Sequence, residues 1–299
     1  MHTDEKVKSG IVALVGPPNV GKSTLLNRLL GQKISIVSPK PQTTRNRILG
    51  IVNGPDHQVV LLDTPGIHEA RSPLNQEMVR IALDTLAEVD AILFMTDVTL
   101  PPPSPARNPA RFLEGRSQPV FLILNKIDLV APEKLLPILA AYQELFPFQA
   151  IIPISARTAD GTDLLLKEVI SVLPEGPRLY PEDIPTDASE RFISAEIIRE
   201  KIFLQTRQEI PYSTAVAIDR FHDDGRLVTI DATIIVEQPS QKGIIIGKQG
   251  TMLQKIGSAA RMDIQQLLDR KVLLKLFVKV EKDWTRNPRL LRELGFQGK

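Results

Sequence analysis

The stretch Gly16-Pro17-Pro18-Asn19-Val20-Gly21-Lys22-Ser23 matches the pattern G-x-x-x-x-G-K-S and decides the fold of the first part of the chain. The short apolar run Ile11–Val15 precedes it, and the apolar sequence TLLNRLL, residues 24–30, follows it. A strand before this pattern and a helix after it are the setting of a phosphate-binding loop, whereas a chance glycine turn, the alternative interpretation, requires neither element. We therefore predict an α/β domain whose first loop binds phosphate.

Each polar residue of this loop has a role in binding a nucleotide. Gly16 and Gly21 let the backbone curl, so that successive amides and the helix amino terminus point at a β-phosphate. Lys22 neutralises oxygens of the β- and γ-phosphates, and Ser23 offers its hydroxyl to Mg²⁺. The loop thus predicts a magnesium nucleotide triphosphate as ligand.

Short apolar runs alternate with amphipathic stretches over the first 175 residues, which indicates crossover units and a mostly parallel sheet. The predicted strands are Ile11–Val15, Arg47–Val52, Gln58–Leu62, Ala91–Thr96, Val120–Leu124 and Ala150–Ile154. The predicted helices are Ser23–Leu30, Asn75–Ala87, Ala106–Glu114, Glu133–Leu145 and Asp160–Val172.

Three further motifs follow predicted strands. Asp63-Thr64-Pro65-Gly66 places a carboxylate near the metal and leaves the Gly66 amide free to approach a γ-phosphate. Asn125-Lys126-Ile127-Asp128 supplies a carboxylate that accepts from N1 and N2 of guanine, a pairing that adenine lacks. Ser155-Ala156 is suited to closing over the base with an amide toward the guanine carbonyl. Together these motifs predict GTP rather than ATP.

Two polar loops are predicted to respond to the γ-phosphate. The first switch is Lys40-Pro41-Gln42-Thr43-Thr44-Arg45, where we favour Thr44 over Thr43 as a metal ligand. The second runs from Thr64 to about Asn75. The predicted magnesium ligands are Ser23, Thr44 and Asp63. The predicted GTP-binding residues are Gly16, Pro17, Pro18, Asn19, Val20, Gly21, Lys22, Ser23, Thr24, Asp63, Thr64, Pro65, Gly66, Asn125, Lys126, Asp128, Ser155 and Ala156.

The catalytic residues are predicted to be Lys22, Thr44 and Gly66, which position phosphate and water. Many small GTPases have a glutamine after this glycine to orient the attacking water, but Ile67 occupies that position and has no hydrogen-bonding group. We therefore expect slow intrinsic hydrolysis. His68 is as well explained by an ordinary solvated histidine as by a general base, and no general base is assigned.

Two proline-rich stretches interrupt the pattern. Pro101-Pro102-Pro103-Ser104-Pro105 cannot be helix or interior strand and is predicted to be a stiff exposed loop. The sequence LPEGPRLYPEDIPTD, residues 173–187, carries four prolines and mixed charge. It predicts a domain boundary, with a GTP-binding domain at 1–175, a linker at 176–187 and a second domain at 188–299.

Charge is distributed unevenly along the chain. Residues 1–179 are neutral and residues 180–241 carry a net −6, whereas residues 242–299 carry 13 basic and 5 acidic side chains, a net +8. A basic stretch of this kind is typical of a surface that meets phosphates, although a solvated helix face is the plainer explanation.

The second domain is predicted to fold as α-β-β-α-α-β. Its helices and strands are expected at Ala188–Arg207, Thr214–Phe221, Leu227–Glu237, Thr251–Asp269, Val272–Glu281 and Pro288–Leu294, with only a short apolar stretch at Gly243–Ile246. The turn Gly247-Lys248-Gln249-Gly250 follows that stretch and precedes a helix. This arrangement is what a KH RNA-binding module requires, in which the turn presses against about four single-stranded nucleotides.

The groove beside that turn is predicted to have an apolar and a charged side. Ile244–Ile246 and Ile256 are expected on the apolar side. The predicted RNA-binding residues are Lys242, Ile246, Gly247, Lys248, Gln249, Gly250, Lys255 and Arg261. The alternative interpretation of the turn is a simple helix cap. Trp284, the single tryptophan, is expected to pack in the core rather than stack on a base.

Composition excludes several function classes. The absence of cysteine among 299 residues removes disulfides, thiolate metal sites and cysteine nucleophiles. Met1–Gly10 lacks an apolar signal core, and no apolar run approaches the ~20 residues that span a bilayer. We expect a soluble, cytoplasmic protein.

With its phosphate-binding loop in the first domain and its glycine turn in the second, the chain resembles the Era family of bacterial GTPases over nearly its whole length. The resemblance is carried by GPPNVGKSTLLNRLLGQKISIVSPKPQTTR, DTPGIH, NKID, ISA, IIIGKQG with TMLQKIGSAARMDI, and LLKLFVKVEKDW. It implies a GTPase domain joined to an α+β type II KH domain that binds the 3′ end of small-subunit (16S) ribosomal RNA during assembly of the 30S subunit. It also implies loose attachment to the inner face of the cell membrane. We expect the chain to be a monomer.

The resemblance implies one further cofactor. Related GTPases with a hydrophobic residue in place of the glutamine use K⁺ near the phosphates, held partly by an asparagine that matches Asn19. The chain departs from the family pattern at Pro17-Pro18, at Gln249 and in the proline-rich loop 101–109. Gln249 leaves both outer glycines of the turn in place.

Two other functions fit parts of the sequence. An RNA-modification GTPase shares DTPG and NKxD motifs, but it adds folate-binding or catalytic-cysteine segments that this chain lacks. A passive RNA-binding adaptor would keep a structural nucleotide site only, and the intact Lys22, Asp63 and Asp128 argue against it. A GTP-operated RNA-binding switch is the function that the sequence favours.

Overall fold

The computed structural model describes residues 6–38, 40, 43–67, 72–101, 110–206 and 210–294. These residues divide into two compact units. The first contains the described parts of 1–35, 44–69 and 79–187, and the second contains those of 36–43, 70–78 and 188–299.

The first unit is built on a mostly parallel sheet. Its described strands are β1 (Val7–Val15), β2 (Ile48–Asn53), β3 (His57–Asp63), β4 (Ala91–Asp97), β5 (Val120–Asn125), β6 (Ala150–Ile154) and the short β7 (Glu175–Gly176). Its helices are α1 (Lys22–Leu30), most of α2 (Pro73–Thr85), α3 (Leu135–Gln143) and α4 (Thr162–Val172). The strand order is β2-β3-β1-β4-β5-β6, with β2 antiparallel to β3 and β7 antiparallel to β1.

Burial explains why the central strands are continuous apolar runs. Val12–Val15 of β1 and Ile92–Met95 of β4 are almost fully buried, as expected for parallel strands with helices on both faces. Because β1, β3, β4, β5 and β6 run parallel, their carboxyl ends meet at one edge of the sheet. Loops after β1, β3, β5 and β6 carry the predicted nucleotide motifs, and ligands of open α/β sheets bind at such an edge.

The second unit is an α+β fold around a three-stranded sheet. Its described elements are α5 (Glu190–Gln205), β8 (Ala215–Asp223), β9 (Leu227–Val236), α6 (Pro239–Ile246), α7 (Thr251–Leu268), β10 (Lys271–Val280) and α8 (Pro288–Glu293). The strand order is β10-β9-β8, with β9 parallel to β10 and antiparallel to β8. Every second residue of β9, from Val228 to Val236, is fully buried, which is the period of a strand with one face on helices.

The predicted first switch belongs to the second unit up to Thr43. Glu200 of α5 accepts a hydrogen bond from the Val37 amide at 3.0 Å, and Arg199 donates to the Thr43 carbonyl at 2.5 Å. Leu74 and Met78, in the first turns of α2, pack with Trp284. Residues 39, 41–42 and 68–71 lie outside the described residues, so part of each predicted switch, His68 included, is not covered.

The structure assigns the predicted short apolar stretch at 243–246 to a helix, in agreement with the predicted order α-β-β-α-α-β. Residues 243–246 form the end of helix α6, which starts earlier, at Pro239. Proline suits the first helical position, and the side chain of Gln241 accepts from the amides of Glu237 and Gln238 at 2.9 and 3.1 Å. The capping residues thus begin the helix four residues before the apolar run.

The prediction of a helix at Ala106–Glu114 is wrong for the residues of that range that the structure describes. There the structure has a single 3₁₀ turn, Arg111–Leu113, ended by Gly115 in a left-handed conformation. Residues 102–109, which contain the rest of that helix and most of the proline-rich loop, lie outside the described residues. The remaining elements differ from their predicted bounds by a few residues at most, as in α3, which a 3₁₀ turn at Pro132–Lys134 precedes.

The predicted linker does not run free of the first unit. The buried Gln58 side chain accepts from the Leu179 and Tyr180 amides at 2.6 and 2.9 Å and donates to the Tyr180 carbonyl at 2.8 Å. The Ile51 amide donates to the Pro185 carbonyl at 2.9 Å. Residues 174–187 therefore form an ordered strap on the sheet, because buried polar partners satisfy its backbone.

No helix within the described residues combines the length and apolar character required to cross a lipid bilayer.

Candidate functional sites

The loop after β1 forms a backbone cradle. Gly16 has φ +144°, and a Cβ at this position would lie 2.2 Å from the Met95 carbonyl oxygen. No side chain fits there, so the loop can follow a path that L-residues rarely adopt. Helix α1 begins at Lys22, and its amino terminus faces the space that the loop encloses.

Lys22 is held inside this cradle. Its ammonium donates to the Gly16 and Pro17 carbonyls at 3.1 and 3.0 Å, and its side chain is buried. Burial lowers the pKa of Lys22 to about 8, although the charge of Asp63 opposes the shift. A lysine desolvated in this way interacts strongly with an anion, because few water molecules screen its charge.

Three side-chain oxygens meet next to the cradle. Ser23 Oγ donates to Asp63 Oδ2 at 2.6 Å and lies 2.8 Å from Thr44 Oγ1. Asp63 is fully buried, and its Oδ1 has no hydrogen-bond partner among the described residues. Burial raises the pKa of Asp63, while Lys22 and the hydroxyls of Ser23, Ser35 and Thr44 lower it.

This donor set fits Mg²⁺. All three groups present hard oxygen ligands, and a divalent cation would satisfy the partnerless carboxylate oxygen of Asp63. Thr44, not Thr43, supplies the hydroxyl beside Ser23, because Thr43 Oγ1 donates to the Lys40 carbonyl at 2.7 Å.

The loops after β5 and β6 are bonded together into a base pocket. Asn125 donates to the Val20 carbonyl at 2.7 Å and accepts from the Ala156 amide at 2.9 Å, so it joins the phosphate loop to the Ser155-Ala156 loop. Ser155 Oγ donates to Asp128 Oδ1 at 2.6 Å. Lys126 pairs with Asp97 at 2.5 Å.

Asp128 presents an ionised carboxylate. The hydrogen bond from Ser155 and the charge of Arg157, 2.7 Å from Oδ2, keep its pKa below the ordinary aspartate value, although burial opposes them. A charged carboxylate has acceptor capacity for the two neighbouring N–H groups of guanine, and it repels the acceptor N1 of adenine.

The position after Asp63-Thr64-Pro65 also brings two backbone segments close together. A Cβ on Gly66 would lie 2.8 Å from Cα of Pro18. The next amide, that of Ile67, donates to the Gly16 carbonyl at 3.0 Å. The Ile67 side chain packs on the apolar core, and it has no polar atom with which to hold a water molecule.

The second unit carries a cleft beside its glycine turn. Gly247 has φ +73° and Gly250 φ +81°, so both outer glycines of the turn adopt positive φ values that L-residues rarely adopt. The cleft has a volume of about 420 Å³ and lies between α7 and β10. It is lined by Gly250, Leu253, Gln254, Gly257, Ser258, Arg261, Leu274 and Leu276.

The structure brings two of the eight predicted RNA-binding residues to the cleft wall, Gly250 and Arg261. The other six lie on α6, in the turn or on an adjacent face of α7: Lys242, Ile246, Gly247, Lys248, Gln249 and Lys255. The predicted apolar side is wrong in part, because Ile245 and Ile256 are fully buried in the core. Leu253, Leu274 and Leu276 form the apolar side instead.

Comparison with known proteins gives the family. The model of the 50S ribosome-binding GTPase family matches residues 11–126, and the KH domain model matches residues 209–285. The chain is 55% identical over 296 residues to GTPase Era of Geobacter metallireducens, covering 98% of this chain and 99% of that protein. The chain belongs to the Era family of GTPases. It binds GTP and GDP and hydrolyses GTP.

A further relative and two solved Era structures support the same family assignment. GTPase Era of Syntrophus aciditrophicus is 52% identical over 97% of this chain and 95% of that protein. A variant of Aquifex aeolicus Era bound to GDP and AlF4⁻ superposes with a TM-score of 0.94 at 43% identity, covering 98% of this chain and all of that one. A structure of Era with MgGDPNP and nucleotides 1506–1542 of 16S ribosomal RNA superposes with the same TM-score, sequence identity and coverage. The Era-type fold predicted from the sequence is confirmed.

Three side chains of this Era-family site were missed by sequence reasoning. Ser35 donates to Asp63 Oδ2 at 2.8 Å, and Arg157 pairs with Asp128. Arg28 of α1 donates to the carbonyls of Ala156, at 3.3 Å, and Arg157, and so fixes the loop that closes over the base. Only Arg157 has a sequence signal, since it follows Ser155-Ala156 directly.

Trp284 is confirmed as a core residue. It is fully buried, and its Nε1 donates to the Ser213 carbonyl at 2.9 Å. The stacking role that we weighed against packing is therefore excluded for this side chain.

Proposed function

We propose that this GTPase is a switch that binds the 3′ end of 16S ribosomal RNA with its second unit and acts in assembly of the 30S subunit. The observation that carries the proposal is the cleft between α7 and β10 beside the glycine turn, on a chain that superposes on an Era structure holding nucleotides of that RNA. The mixture of leucines, polar groups and Arg261 in the cleft suits unstacked bases with a phosphate backbone.

The nucleotide is proposed to lie along the carboxyl edge of the first sheet. Lys22 and the amides of the cradle bind the β- and γ-phosphates, and Gly66 donates its amide to the γ-phosphate. Asp128 and the Ala156 amide recognise guanine. The site residues predicted from the sequence remain our assignment for these contacts.

Mg²⁺ is proposed to be held by Ser23, Thr44 and Asp63. When bound there, it neutralises charge that develops on the phosphate oxygens during hydrolysis. Thr44 and Gly66 orient groups around the γ-phosphate, and Ile67 adds no hydrogen bond to the attacking water. We therefore propose slow intrinsic turnover.

K⁺ is proposed as a second cation near the phosphates, with Asn19 as one ligand. Asn19 adopts a left-handed conformation, φ +64°, at an exposed position in the cradle. The test is the rate of GTP hydrolysis in KCl against NaCl at equal ionic strength. We expect faster hydrolysis in KCl and no such difference for Asn19→Ala, whereas equal rates in both salts would remove the assignment.

The chain is proposed to act in the cytoplasm as a monomer with peripheral attachment to the inner face of the cell membrane. The net +8 of residues 242–299 supports contact with anionic surfaces. Sedimentation with vesicles that contain phosphatidylglycerol, against neutral vesicles, tests the attachment, and sedimentation velocity tests the monomer.

RNA binding is tested with a single-stranded RNA that copies the 3′ end of 16S ribosomal RNA, in the presence of a GTP analogue or GDP at fixed salt. We expect binding that depends on the nucleotide. Gly250→Asp should weaken it, because a carboxylate and its bulk would face the RNA backbone, and should leave nucleotide affinity intact. An RNA that fails to bind in either nucleotide state would refute the proposal.

A further inference from the structure

The sheet of the second unit has a second face that the cleft does not use. Strand β10 lies at the edge of this sheet and pairs with β9 alone among the described strands. Leu274 and Leu276 point toward α7 and line the cleft. Side chains alternate along a strand, so the residues between them lie on the opposite, outer face.

The outer face of β10 alternates cations with exposed apolar groups. Its residues are Lys271, Leu273, Lys275, Phe277 and Lys279. All five are exposed, with 57% of Phe277 and 43% of Leu273 accessible. Leu273 and Phe277 therefore present apolar surface to solvent on the two sides of Lys275.

Neighbouring strands extend this face. Phe277 is level with Thr233 of β9, and Lys275 is level with Asp231, which in turn is level with the exposed Arg220 of β8. Lys279 pairs with Glu281 at 2.8 Å, so part of its charge is compensated. Lys271, Lys275 and Arg220 outnumber the two carboxylates of the area around Phe277 and Leu273. These are Asp231 and Asp219, of which Asp219 accepts a hydrogen bond from Thr233 at 2.7 Å.

One end of the outer face is already covered by the chain itself. Ala215 of β8 and Ile235 of β9 pack in a cluster with Trp284 and Leu291. The carboxyl-terminal segment therefore shields the apolar groups at that end, whereas Phe277 and Leu273 remain accessible to a partner.

The accessible part is continuous with the proposed RNA cleft across a single strand. A KH cleft holds about four nucleotides, and a longer RNA must leave it at one end. β10 is an edge strand, so an RNA that passes over it moves from Leu274 and Leu276 to Phe277 and Lys275 without crossing another element. Aromatic side chains flanked by cations bind single strands by stacking on bases and pairing with phosphates.

We propose that the outer face of β10 is a second RNA-binding surface, on which Phe277 stacks with a base and Lys271 and Lys275 bind phosphates of nucleotides that flank the cleft. This inference rests on the proposed RNA-binding function of the cleft. Its ligand is single-stranded RNA that continues from the cleft.

The test compares two RNAs. One has six nucleotides, enough to occupy the cleft with a single extra nucleotide at each end, and the other has about sixteen and contains the same six with flanking sequence on both sides. Phe277→Ala should weaken binding of the longer RNA about 5- to 150-fold, the range of one lost base stack. Lys275→Gln should weaken it less and reduce the slope of affinity against salt by about one phosphate contact. Both variants should bind the six-nucleotide RNA as the wild type does.

Matched controls come from the first unit. Leu164→Ala and Lys167→Gln remove an exposed apolar group and an exposed cation from α4, and neither should affect either RNA. Thermal unfolding of every variant checks the fold, and we expect no change at these exposed positions.

Each outcome decides the inference. Unchanged affinity of Phe277→Ala and Lys275→Gln for the longer RNA would overturn it, and so would an equal loss for both RNAs. If the wild type binds neither RNA, the proposed function of the cleft fails as well. Loss of binding to phosphatidylglycerol vesicles with unchanged RNA binding would assign the face to a membrane and overturn the inference.

Discussion

At the scale of single residues, Gly66 allows the sharpest test of the γ-phosphate assignment. Gly66→Ala would place a methyl group 2.8 Å from Cα of Pro18, so one of the two backbones must move. We expect GTP hydrolysis to fall about 100- to 1,000-fold, as when a donor to a developing charge is lost, with GDP affinity nearly unchanged. Single-turnover hydrolysis and GDP titration measure both. Gly243→Ala in α6, where a Cβ meets nothing within 4 Å, is the control.

Asp128 decides which base is bound. The substitution Asp128→Asn replaces one charged acceptor oxygen by an NH₂ donor. GTP affinity should therefore fall by about 100-fold or more, and xanthosine triphosphate should bind to the variant better than it does to the wild type. Because the pKa of Asp128 is lowered, the wild-type preference for guanine should persist when the pH falls to 5. Competition titrations with both nucleotides at pH 7 and 5 measure these effects. An unchanged base preference in the variant would contradict the assignment.

The residues that sequence reasoning missed share a physical cause. Arg28 contacts the carbonyls of Ala156 and Arg157, about 130 positions away along the chain. Ser35 reaches Asp63 only because Asn27 accepts from the Ile34 and Ser35 amides, both at 2.9 Å, and so fixes that loop. Such contacts depend on tertiary placement, whereas the phosphate loop is encoded in eight consecutive residues.

At the scale of elements, α5 carries charges that the core requires. Lys201 is buried, lies 3.2 Å from Glu200 and pairs with Asp263 of α7. Lys201→Met would leave Glu200 buried without this cation, and we expect the free energy of unfolding of the second unit to fall by about 3–5 kcal/mol. Trp284, the single tryptophan, is buried in this unit and reports its unfolding in urea by fluorescence.

The matched control for α5 is Lys279→Met. Lys279 also pairs with a glutamate, at 2.8 Å, but 64% of its side chain is exposed. Exposed pairs contribute at most about 1 kcal/mol, so the control should change little. If Lys201→Met and Lys279→Met lower the free energy of unfolding equally, burial is not the reason that Lys201 stabilises the second unit.

Helix α3 is joined to β4 by a buried hydroxyl pair. Tyr142 Oη lies 2.9 Å from Thr96 Oγ1, and burial together with the charge of Asp97 raises the pKa of Tyr142. The unfolded chain loses this proton first, so the stability of the first unit should decline as the pH rises above about 10. Tyr142→Phe should lower the free energy of unfolding of the first unit by about 1 kcal/mol at pH 7. It should also make the loss of stability above about pH 10 smaller. Urea unfolding followed by circular dichroism at pH 7 to 11 measures the free energy of unfolding. If that free energy falls with pH as steeply in Tyr142→Phe as in the wild type, Tyr142 is not the group responsible.

The element order was largely predictable because the apolar periods are strong and the motifs fall at strand ends. The start of helix α6 at Pro239 was not predicted, since the helix has only eight residues, contains Gly243 and depends on the cap formed by Gln238 and Gln241. The sequence of the strap at 174–187 is typical of a linker because prolines have no backbone N–H to donate to a strand ladder. Its backbone partner, Gln58, lies more than a hundred residues earlier, and no local pattern reveals such a pairing.

At the scale of the whole molecule, the first switch joins the two units through the chain itself. Glu200 and Arg199 bind the backbone of Val37 and Thr43 within the second unit, whereas Thr44, the next residue, belongs to the first unit and contacts Ser23. Ordering of Thr44 around Mg²⁺ and a γ-phosphate therefore acts on a segment that α5 also holds. We expect GTP analogue and GDP to give different RNA affinities, by about 5- to 150-fold.

Reciprocity makes this coupling testable without a variant. If the GTP analogue raises RNA affinity by some factor relative to GDP, saturating RNA must raise the preference for analogue over GDP by the same factor, because both routes connect the same four states. We expect the analogue-bound state to bind RNA and the GDP-bound state to release it. Titrations in both orders at one salt concentration measure the two factors. Equal RNA affinity in both nucleotide states would mean that the segment held by α5 does not respond to the γ-phosphate, and hydrolysis would then have no means of releasing the RNA.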